Sequence, residues 1–254
     1  ECIDDICQDT LNFNFFDEER SIEFYIEFLQ DNHHYEYTLA FNPKREITTE
    51  ILEVDSKVLL DRFGKNSKEI TQVLELLGHY KNKLMVMCLP KQYREYHDGF
   101  KKFFEKILIL QYIENNIQPT LDMLNDIRYS DDFMNLISTS DISIKKMGIN
   151  KQIDAKSFSY VPKDVAEYLQ LESTYEKDGK LYSFPSILVD SIGTKKLIVY
   201  ASYILKALRE ERVLLVDELD TSWHTFLTRN IFALFNSIGN VKAQLIASCH
   251  DLLL

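Results

Sequence analysis

Two acidic residues follow a short apolar run in the C-terminal third of the chain. The run Val213–Val216 predicts a strand buried on both faces, and Asp217 and Glu218 come directly after it. Open α/β sheets bind ligands outside the carboxyl ends of their strands, so both carboxylates are expected at a ligand-binding edge. Adjacent carboxylates suit phosphoryl chemistry, in which Asp217 holds Mg²⁺ and Glu218 orients or deprotonates the attacking water.

A histidine follows the next predicted strand. Residues 225–237 repeat apolar side chains with a helical period, and residues 243–248 have the pattern of another buried strand. Strand, helix and strand in this order predict a crossover that makes the two strands parallel neighbours. His250 is therefore expected at the same edge as Glu218, where an imidazole can donate a hydrogen bond to a phosphate or to the attacking water.

A third candidate group opens a helix. Ser191 and Gly193 come just before a long apolar segment, 195–208, which predicts a helix. The unpaired amides at a helix N-terminus and the helix dipole both favour an anion. The sequence therefore predicts a phosphate contact at Ser191.

These segments together resemble one known family. Residues 213–222 are similar to the Walker B strand and D-loop of ATP-binding-cassette (ABC) ATPases, and residues 248–251 are similar to their switch-histidine segment. Residues 219–224 resemble the LDxSLHP motif, and residues 190–196 the ESxGTKK signature, of one group of AAA-type, ABC-like ATPases. That group includes the overcoming-lysogenization-defect and abortive-infection proteins of bacteria. Three positions depart from its usual residues: Ile192, Trp223 and Thr225.

The resemblance implies a fold and a set of ligands. The fold class is α/β, a P-loop NTPase head of the ABC type with a mixed sheet and an antiparallel β subdomain, carrying an inserted helical lobe. The ligands are ATP and Mg²⁺, with Asp217 at the metal and with Glu218 and His250 as catalytic residues. The implied nucleotide-binding residues are Ser191, Gly193, Thr194, Lys195, Asp220 and Ser222. In cassette ATPases the signature caps the nucleotide of the opposite subunit, which implies a homodimer or a higher homo-oligomer.

Periodicity divides the chain into three parts. Residues 21–29 and 35–41 alternate polar and apolar side chains on either side of Asp31-Asn32, which predicts an antiparallel hairpin. Strands at 46–54 and 58–62 are expected to continue it, and residues 1–67 are assigned to the antiparallel β part of the head. Residues 68–150 carry helical periodicity, with one long helix expected to run through Ile113, and are assigned to the helical lobe. Residues 151–254 contain a hairpin at 173–184 and then the signature, the acidic pair and the histidine.

Two local assignments complete the division. The segment Ser130-Asp131-Asp132 predicts the N-cap of a helix through Ile137. Gly64-Lys65 resembles the end of a phosphate-binding loop, but Asn66 follows it and Leu59 occupies the position of the required upstream glycine, so a turn is predicted. In the resembled family the P-loop precedes a hairpin like this one, and further strands follow the histidine. We therefore expect a Walker A loop outside this sequence, and ATP hydrolysis is predicted on that condition.

Composition excludes several classes of protein. Of the 254 residues, 45% are hydrophobic and 27% are charged, which excludes global disorder. The apolar runs are too short to cross a bilayer, so a cytoplasmic protein without a membrane partner is expected. The net charge of -11 argues against an overall basic field for nucleic acid, although a local patch leaves nucleic-acid contact open. The four cysteines have no metal-ligand spacing.

The functional prediction is an ATP hydrolase whose dimer cycle gates an effector. The resemblance points to bacterial anti-phage defence, with a nuclease or toxin subunit as the effector. Two alternatives stay open: a non-hydrolysing scaffold or sensor with a degenerate ATPase fold, and a DNA-repair-type ATPase. An intact Gly-rich loop separates hydrolase from scaffold, and salt-dependent DNA binding identifies the repair type.

Overall fold

The computed structural model divides the chain into two compact units, Glu1–Glu105 and Lys106–Leu254. The structure describes the following residues: 21–44, 46–64, 84–110, 116–141, 143–153, 160, 162–221, 223 and 225–250. The predicted start of the helical lobe at residue 68 lies outside them. The three-part division with boundaries after residues 67 and 150 stays a prediction.

The first unit is built on a four-stranded antiparallel sheet in sequential order. Its strands are β1 (Ile22–Gln30), β2 (His33–Phe41), β3 (Ile47–Val54) and β4 (Lys57–Asp61). Asp31 and Asn32 connect β1 to β2 with φ values of 52° and 67°, the left-handed pair that a tight two-residue hairpin requires. The predicted hairpin and the two strands after it are confirmed.

Helix α1 (Arg94–Glu105) packs an aromatic stripe against the first unit's sheet. Phe103 stacks on Phe28 of β1 with 3.8 Å between ring centroids, and Phe100 is buried in the same cluster. The helix ends at Glu105, so the prediction of one long helix through Ile113 is wrong. Strand β5 (Ile107–Leu110) follows instead, because four consecutive apolar residues fit a strand as well as a helix and pairing with a neighbouring strand decides.

Two adjacent histidines at the start of β2 are each held by a carboxylate. His33 Nδ1 lies 2.6 Å from Asp55 Oδ2, and His34 Nε2 lies 2.7 Å from Glu27 Oε1. Two further carboxylates lie 3.6 Å from the rings: Glu36 and Glu95. Hydrogen bonding to Asp55 raises the pKa of His33, and hydrogen bonding to Glu27 raises the pKa of His34. The pKa of Asp55 and that of Glu27 are lowered, chiefly by bonds from His34.

These pKa shifts predict a pH optimum for the stability of the first unit. A histidine whose pKa is raised by folding contributes its full stabilisation when the pH lies below the unfolded pKa of about 6.5. This stabilisation is lost as the pH rises through the folded pKa. The two carboxylates, whose pKa values are lowered, contribute their full stabilisation above a pH of about 4. This stabilisation is lost as the pH falls through their folded pKa values. We expect the thermal midpoint to fall between pH 6 and 8 in the wild type, and less in the variant carrying His33→Gln and His34→Gln. An identical fall in both proteins would contradict the prediction.

The second unit contains a three-stranded parallel sheet, in which β5 is an edge strand. Strand β9 (Val213–Val216) is followed by helix α7 (Thr225–Phe235) and strand β10 (Gln244–Ala247). In the register, Val216 of β9 lies opposite Ala247 of β10 on one side and opposite Leu110 of β5 on the other. The predicted parallel pairing of β9 and β10 is confirmed, and the three strands end level with one another.

An antiparallel sheet and a set of helices complete the second unit. The strands are β6 (Ile144–Ile149), β7 (Leu171–Lys177) and β8 (Lys180–Pro185), so the hairpin predicted at 173–184 is confirmed. The helices are α2 (Gln118–Asn125), α3 (Ile127–Ser140), α4 (Lys163–Tyr168), α5 (Ser186–Val189) and α6 (Ile192–Arg209).

Helix α3 begins earlier than predicted. Its N-cap is Asp126, whose carboxylate accepts from the backbone N–H of Arg128 at 3.0 Å, so the N-cap prediction at residues 130–132 is wrong. Asp126 satisfies an amide that the helix start leaves open, which the later acids inside the helix cannot do.

Helix α6 is the central element of the second unit's core. Ile198 and Ala201 are fully buried, and they belong to the same apolar cluster as Leu214 and Val216 of β9. This burial fixes the helix against the parallel sheet, and it therefore fixes where the helix begins. Within the described ranges, no helix combines the length and the apolar character that crossing a membrane requires.

Candidate functional site

The carboxyl ends of β9 and β10 bring the acidic pair and the histidine segment together. Asp217 follows Val216 of β9, and Ser248 follows Ala247 of β10, the residue that pairs with Val216. Ser248 Oγ donates to Asp217 Oδ1 at 2.5 Å and accepts from the backbone N–H of Glu218 at 2.8 Å. One hydroxyl therefore orients the first carboxylate and fixes the backbone of the second.

Glu218 occupies a left-handed backbone conformation, with φ of 50°. Non-glycine residues rarely adopt this conformation, which costs on the order of 1–3 kcal/mol and is concentrated at functional sites. Glu218 Oε1 lies 3.5 Å from His250 Nε2, and Oε2 accepts from the Thr221 hydroxyl at 3.2 Å. Asp220 accepts from the backbone N–H of His250 at 3.0 Å. The predicted meeting of Glu218 and His250 at one sheet edge is confirmed.

Ser191 is the exposed N-cap of α6. Its Oγ accepts from the backbone N–H of Thr194 at 3.1 Å and lies 2.9 Å from the Thr194 hydroxyl. Because the helix has 18 residues, its dipole is fully developed at this end. Ser191 is therefore exposed at the positive end of this helix, and the phosphate contact expected there stays a prediction.

The carboxylate of Asp190 fixes the start of the signature segment, residues 190–196, by hydrogen bonds. It is buried and accepts from Ser173 Oγ at 2.7 Å. The hydroxyls of Tyr175 and Ser186 donate to the same carboxylate. Burial, with the Asp190 carboxylate as a further cause, raises the pKa of Tyr175, so the phenol stays a donor. Three hydroxyls therefore hold the residue that precedes Ser191.

Thr194 and Lys195 already use their side chains within the chain. The Thr194 hydroxyl donates to Asp141 at 3.0 Å, and Lys195 Nζ donates to the carbonyl of Ile187 at 2.6 Å. These bonds fix the first turn of α6 against the segment before β6 and against α5. The nucleotide roles of Thr194 and Lys195 stay predictions.

Lys196 and Trp223 join α6 to the turn that carries the acidic pair. Lys196 Nζ donates to the carbonyls of Glu218 and Thr221 at 3.0 and 2.7 Å. The indole N–H of Trp223 donates to the carbonyl of Gly193 at 3.1 Å. Burial lowers the pKa of Lys196, while the nearby Asp220 and Glu218 act in the opposite direction.

The donor chemistry of this edge fits Mg²⁺ and a phosphate group. Mg²⁺ is usually bound by one or two carboxylates together with substrate phosphates and water, and Asp217 is an exposed carboxylate already oriented by a hydroxyl. In the described part of the chain, no group of three or more His, Cys, Asp or Glu could enclose a metal ion. The single oriented carboxylate of Asp217 fits a Mg²⁺ ion that phosphate oxygens help to coordinate.

Most predicted site residues lie in this one region of the second unit. Asp217, Glu218, Asp220 and His250 contact one another or the same Ser248, while Ser191 and Gly193 lie at the helix that Lys196 and Trp223 tie to them. Ser222 lies outside the described residues. The chemical role of each residue stays a prediction.

Sequence reasoning missed several positioning residues. The sequence shows Ser248 only as part of the switch-histidine segment, although its position directly after a strand, next to the end of β9, indicates an orienting contact. The sequence shows Asp190 and Lys196 only as parts of the signature, and Trp223 only as a departure from the family's usual residue. Their contacts come from segments far apart in sequence, so no local pattern reveals them.

Comparison with known proteins identifies one family. The family model described as "AAA domain, putative AbiEii toxin, Type IV TA system" matches residues 79–254, which is more than two thirds of the chain and includes every site residue above. Curated proteins give no match. The match confirms the predicted fold class, an ABC-like P-loop ATPase head.

Structural comparison gives a distant likeness. A solved structure titled "Structure of the recombination mediator protein RecF-ATPrS in RecFOR pathway" is 10% identical, and the similarity covers 92% of this chain and 76% of that chain. The TM-score is 0.31, and a value this low supports no inference about function.

Proposed function

The chain belongs to the AAA-domain family described as putative AbiEii toxin of a type IV toxin–antitoxin system, and on that premise we propose that it binds ATP with Mg²⁺ and hydrolyses it. One observation carries the proposal. Glu218 lies 3.5 Å from His250 at the carboxyl ends of two parallel neighbouring strands, beside the oriented carboxylate of Asp217. Ligands of open α/β sheets bind at this edge.

Each side chain has a distinct task in the proposed reaction. Glu218 orients a water molecule and accepts its proton, since a carboxylate within hydrogen-bond reach is a general base. His250 donates a hydrogen bond toward the terminal phosphate, and its backbone is held by Asp220. Asp217 is the protein ligand of Mg²⁺, which when bound neutralises charge on the phosphates.

The proposed working unit is a homodimer or a higher homo-oligomer. Ser191 is exposed at the start of α6, so it can meet a phosphate that is bound to another copy of the chain. Closing and opening of two such heads would gate an effector protein, a nuclease or a toxin, in defence against phages. The family description names a putative toxin, which agrees with this proposal.

Magnesium dependence tests the proposal through Asp217. We expect the full-length protein to release phosphate from ATP with Mg²⁺ and to lose that activity in EDTA. Asp217→Asn retains the shape and the Ser248 contact but removes the charge. The Mg²⁺ concentration for half-maximal activity should rise roughly 10- to 100-fold. Asp178→Asn, in the exposed β7–β8 turn, is the matched control.

Two outcomes would oppose the proposal. Phosphate release by the wild type that persists in EDTA would remove the metal from the mechanism. ATP binding by the wild type without any turnover would favour the non-hydrolysing scaffold instead.

A further inference from the structure

The Lys196 side chain lies between helix α6 and the turn that carries the acidic pair. Its ammonium group donates to two backbone carbonyls of that turn, at Glu218 and Thr221, at 3.0 and 2.7 Å. The rings of Tyr200 and Trp223 lie 4.9 and 5.2 Å from the nitrogen, within the range of cation–π attraction. The charge is therefore held by carbonyls on one side and by aromatic faces on the other.

The turn needs an external support because Glu218 is left-handed. A residue with φ of 50° and a side chain stays in that conformation only when its surroundings impose it. Charge-assisted hydrogen bonds are roughly twice as strong as neutral ones. The bond from Lys196 to the carbonyl of Glu218 acts on the strained residue itself, and Ser248 holds its N–H.

A second link joins the same two elements. Trp223, at the end of the turn, donates through its indole N–H to the carbonyl of Gly193 at 3.1 Å. Gly193 and Lys196 are three residues apart, so they lie on one face of the first turns of α6. The helix start that carries Ser191 and the turn that carries Glu218 are thus tied at two points.

We propose that Lys196 is a positioning residue, which holds the Glu218 carboxylate in its working orientation and couples it to the phosphate contact at Ser191 on the same helix. This inference rests on the proposed function. In the proposed dimer, Ser191 contacts the nucleotide of one site while Glu218 serves the other. Through Lys196, a nucleotide bound at one site would then set the orientation of the Glu218 carboxylate at the other site.

The test compares Lys196→Met, Lys196→Arg and Lys206→Met in the full-length protein. Methionine has similar length but no donor, arginine restores the donors, and Lys206 is a control further along α6. We expect kcat of Lys196→Met to fall about 10²-fold, the loss typical of a misplaced catalytic group, with KM nearly unchanged. Lys196→Arg should recover part of kcat, and Lys206→Met should match the wild type. The Hill coefficient for ATP should fall toward 1 in Lys196→Met.

A readout without turnover separates this inference from the proposed function. Trp223 is the single tryptophan of these 254 residues and lies beside the Lys196 ammonium, so the emission of its indole reports the junction. We expect an emission shift in nucleotide-free Lys196→Met and faster amide exchange at residues 218–221. If the wild type fails to hydrolyse ATP, these two readouts still decide whether Lys196 holds the turn.

Named outcomes would overturn the inference. Unchanged emission and unchanged exchange in folded Lys196→Met would remove Lys196 as the support of the turn. If Lys196→Met has altered emission but the kcat, KM and Hill coefficient of the wild type, then Lys196 does not position the Glu218 carboxylate. Loss of kcat that Lys196→Arg does not restore at all would mean a packing role alone. If Lys196→Met does not fold, Lys196→Gln takes the same measurements, with the same outcomes.

Discussion

Replacing Glu218 with glutamine is expected to abolish ATP turnover while ATP binding is retained. Glutamine has the same shape and can keep the contact with the Thr221 hydroxyl, but it cannot take a proton from water. Loss of a general base lowers the rate by about 10²–10⁴-fold. Phosphate release measures the first effect, and equilibrium binding of ATP measures the second.

Glu211→Gln is the matched control for this substitution. Glu211 lies just before β9, at the opposite end of the same strand, and its carboxylate forms an exposed ion pair with Lys242 at 2.9 Å. Exposed pairs of this kind contribute about 0–1 kcal/mol, so stability and turnover should match the wild type. Undiminished hydrolysis by Glu218→Gln would show that another group activates the water.

Mixing two inactive variants tests whether the site is shared between subunits. Ser191→Asp keeps a good N-cap for α6 but puts a negative charge where a phosphate is proposed to bind. In a mixed dimer with Glu218→Gln, one site would combine an intact Glu218 with an intact Ser191 from the other subunit. We therefore expect the mixture to regain turnover that neither variant has alone. A mixture that stays inactive would place Ser191 and Glu218 of the same subunit at one nucleotide.

Several strands of each unit could be predicted because their signals are local. Alternation and left-handed turn residues define β1–β2 and β7–β8, and four branched residues before two acids define β9. The parallel pairing of β9 and β10 followed from the helix between them, and it brought His250 to Glu218. Chain order and general topology were enough for this part of the site.

Strand β5 could not be predicted because periodicity does not distinguish short buried strands from helix ends. Residues 107–110 continue the apolar spacing of the helix before them, and only their register with β9 makes them a strand. The contacts of Asp190 and Lys196 have the same origin. Each depends on how separate segments pack, which a pattern of residues along one segment does not contain.

Replacing Glu50 with alanine is expected to destabilise the first unit more than any other single change in that unit's polar contacts. Glu50 is fully buried in β3, and its carboxylate accepts from the backbone N–H groups of Met85 and Val86, both at 2.9 Å. Tyr37 donates at 3.2 Å and Arg62 at 3.1 Å. Breaking a buried ion pair by removing one partner costs about 3–5 kcal/mol, and the charged Arg62 side chain, only 11% exposed, would keep little access to water.

The strand pattern itself contains the signal for Glu50. Alternation places residue 50 on the same face as the buried Leu52 and Val54, so a carboxylate in that position must find donors inside the unit. Glu53, on the same strand and half-buried, is the matched control, and Glu53→Ala should change the free energy of unfolding by no more than about 0.5 kcal/mol. Denaturant unfolding of the full-length protein measures both variants.

Amide exchange at Met85 and Val86 separates a local loss from a global one. These two N–H groups begin the short 3₁₀ turn Met85–Cys88, and the Glu50 carboxylate is their acceptor. In Glu50→Gln the side chain has one oxygen and one N–H₂ group. The oxygen can accept from one of these amides, but the N–H₂ group is itself a donor and cannot accept from the other. We expect exchange to quicken in Glu50→Gln and further in Glu50→Ala, in the same order as the loss of stability. Equal stability of Glu50→Gln and the wild type would mean that the shape of the side chain, and not its charge, holds the turn to β3.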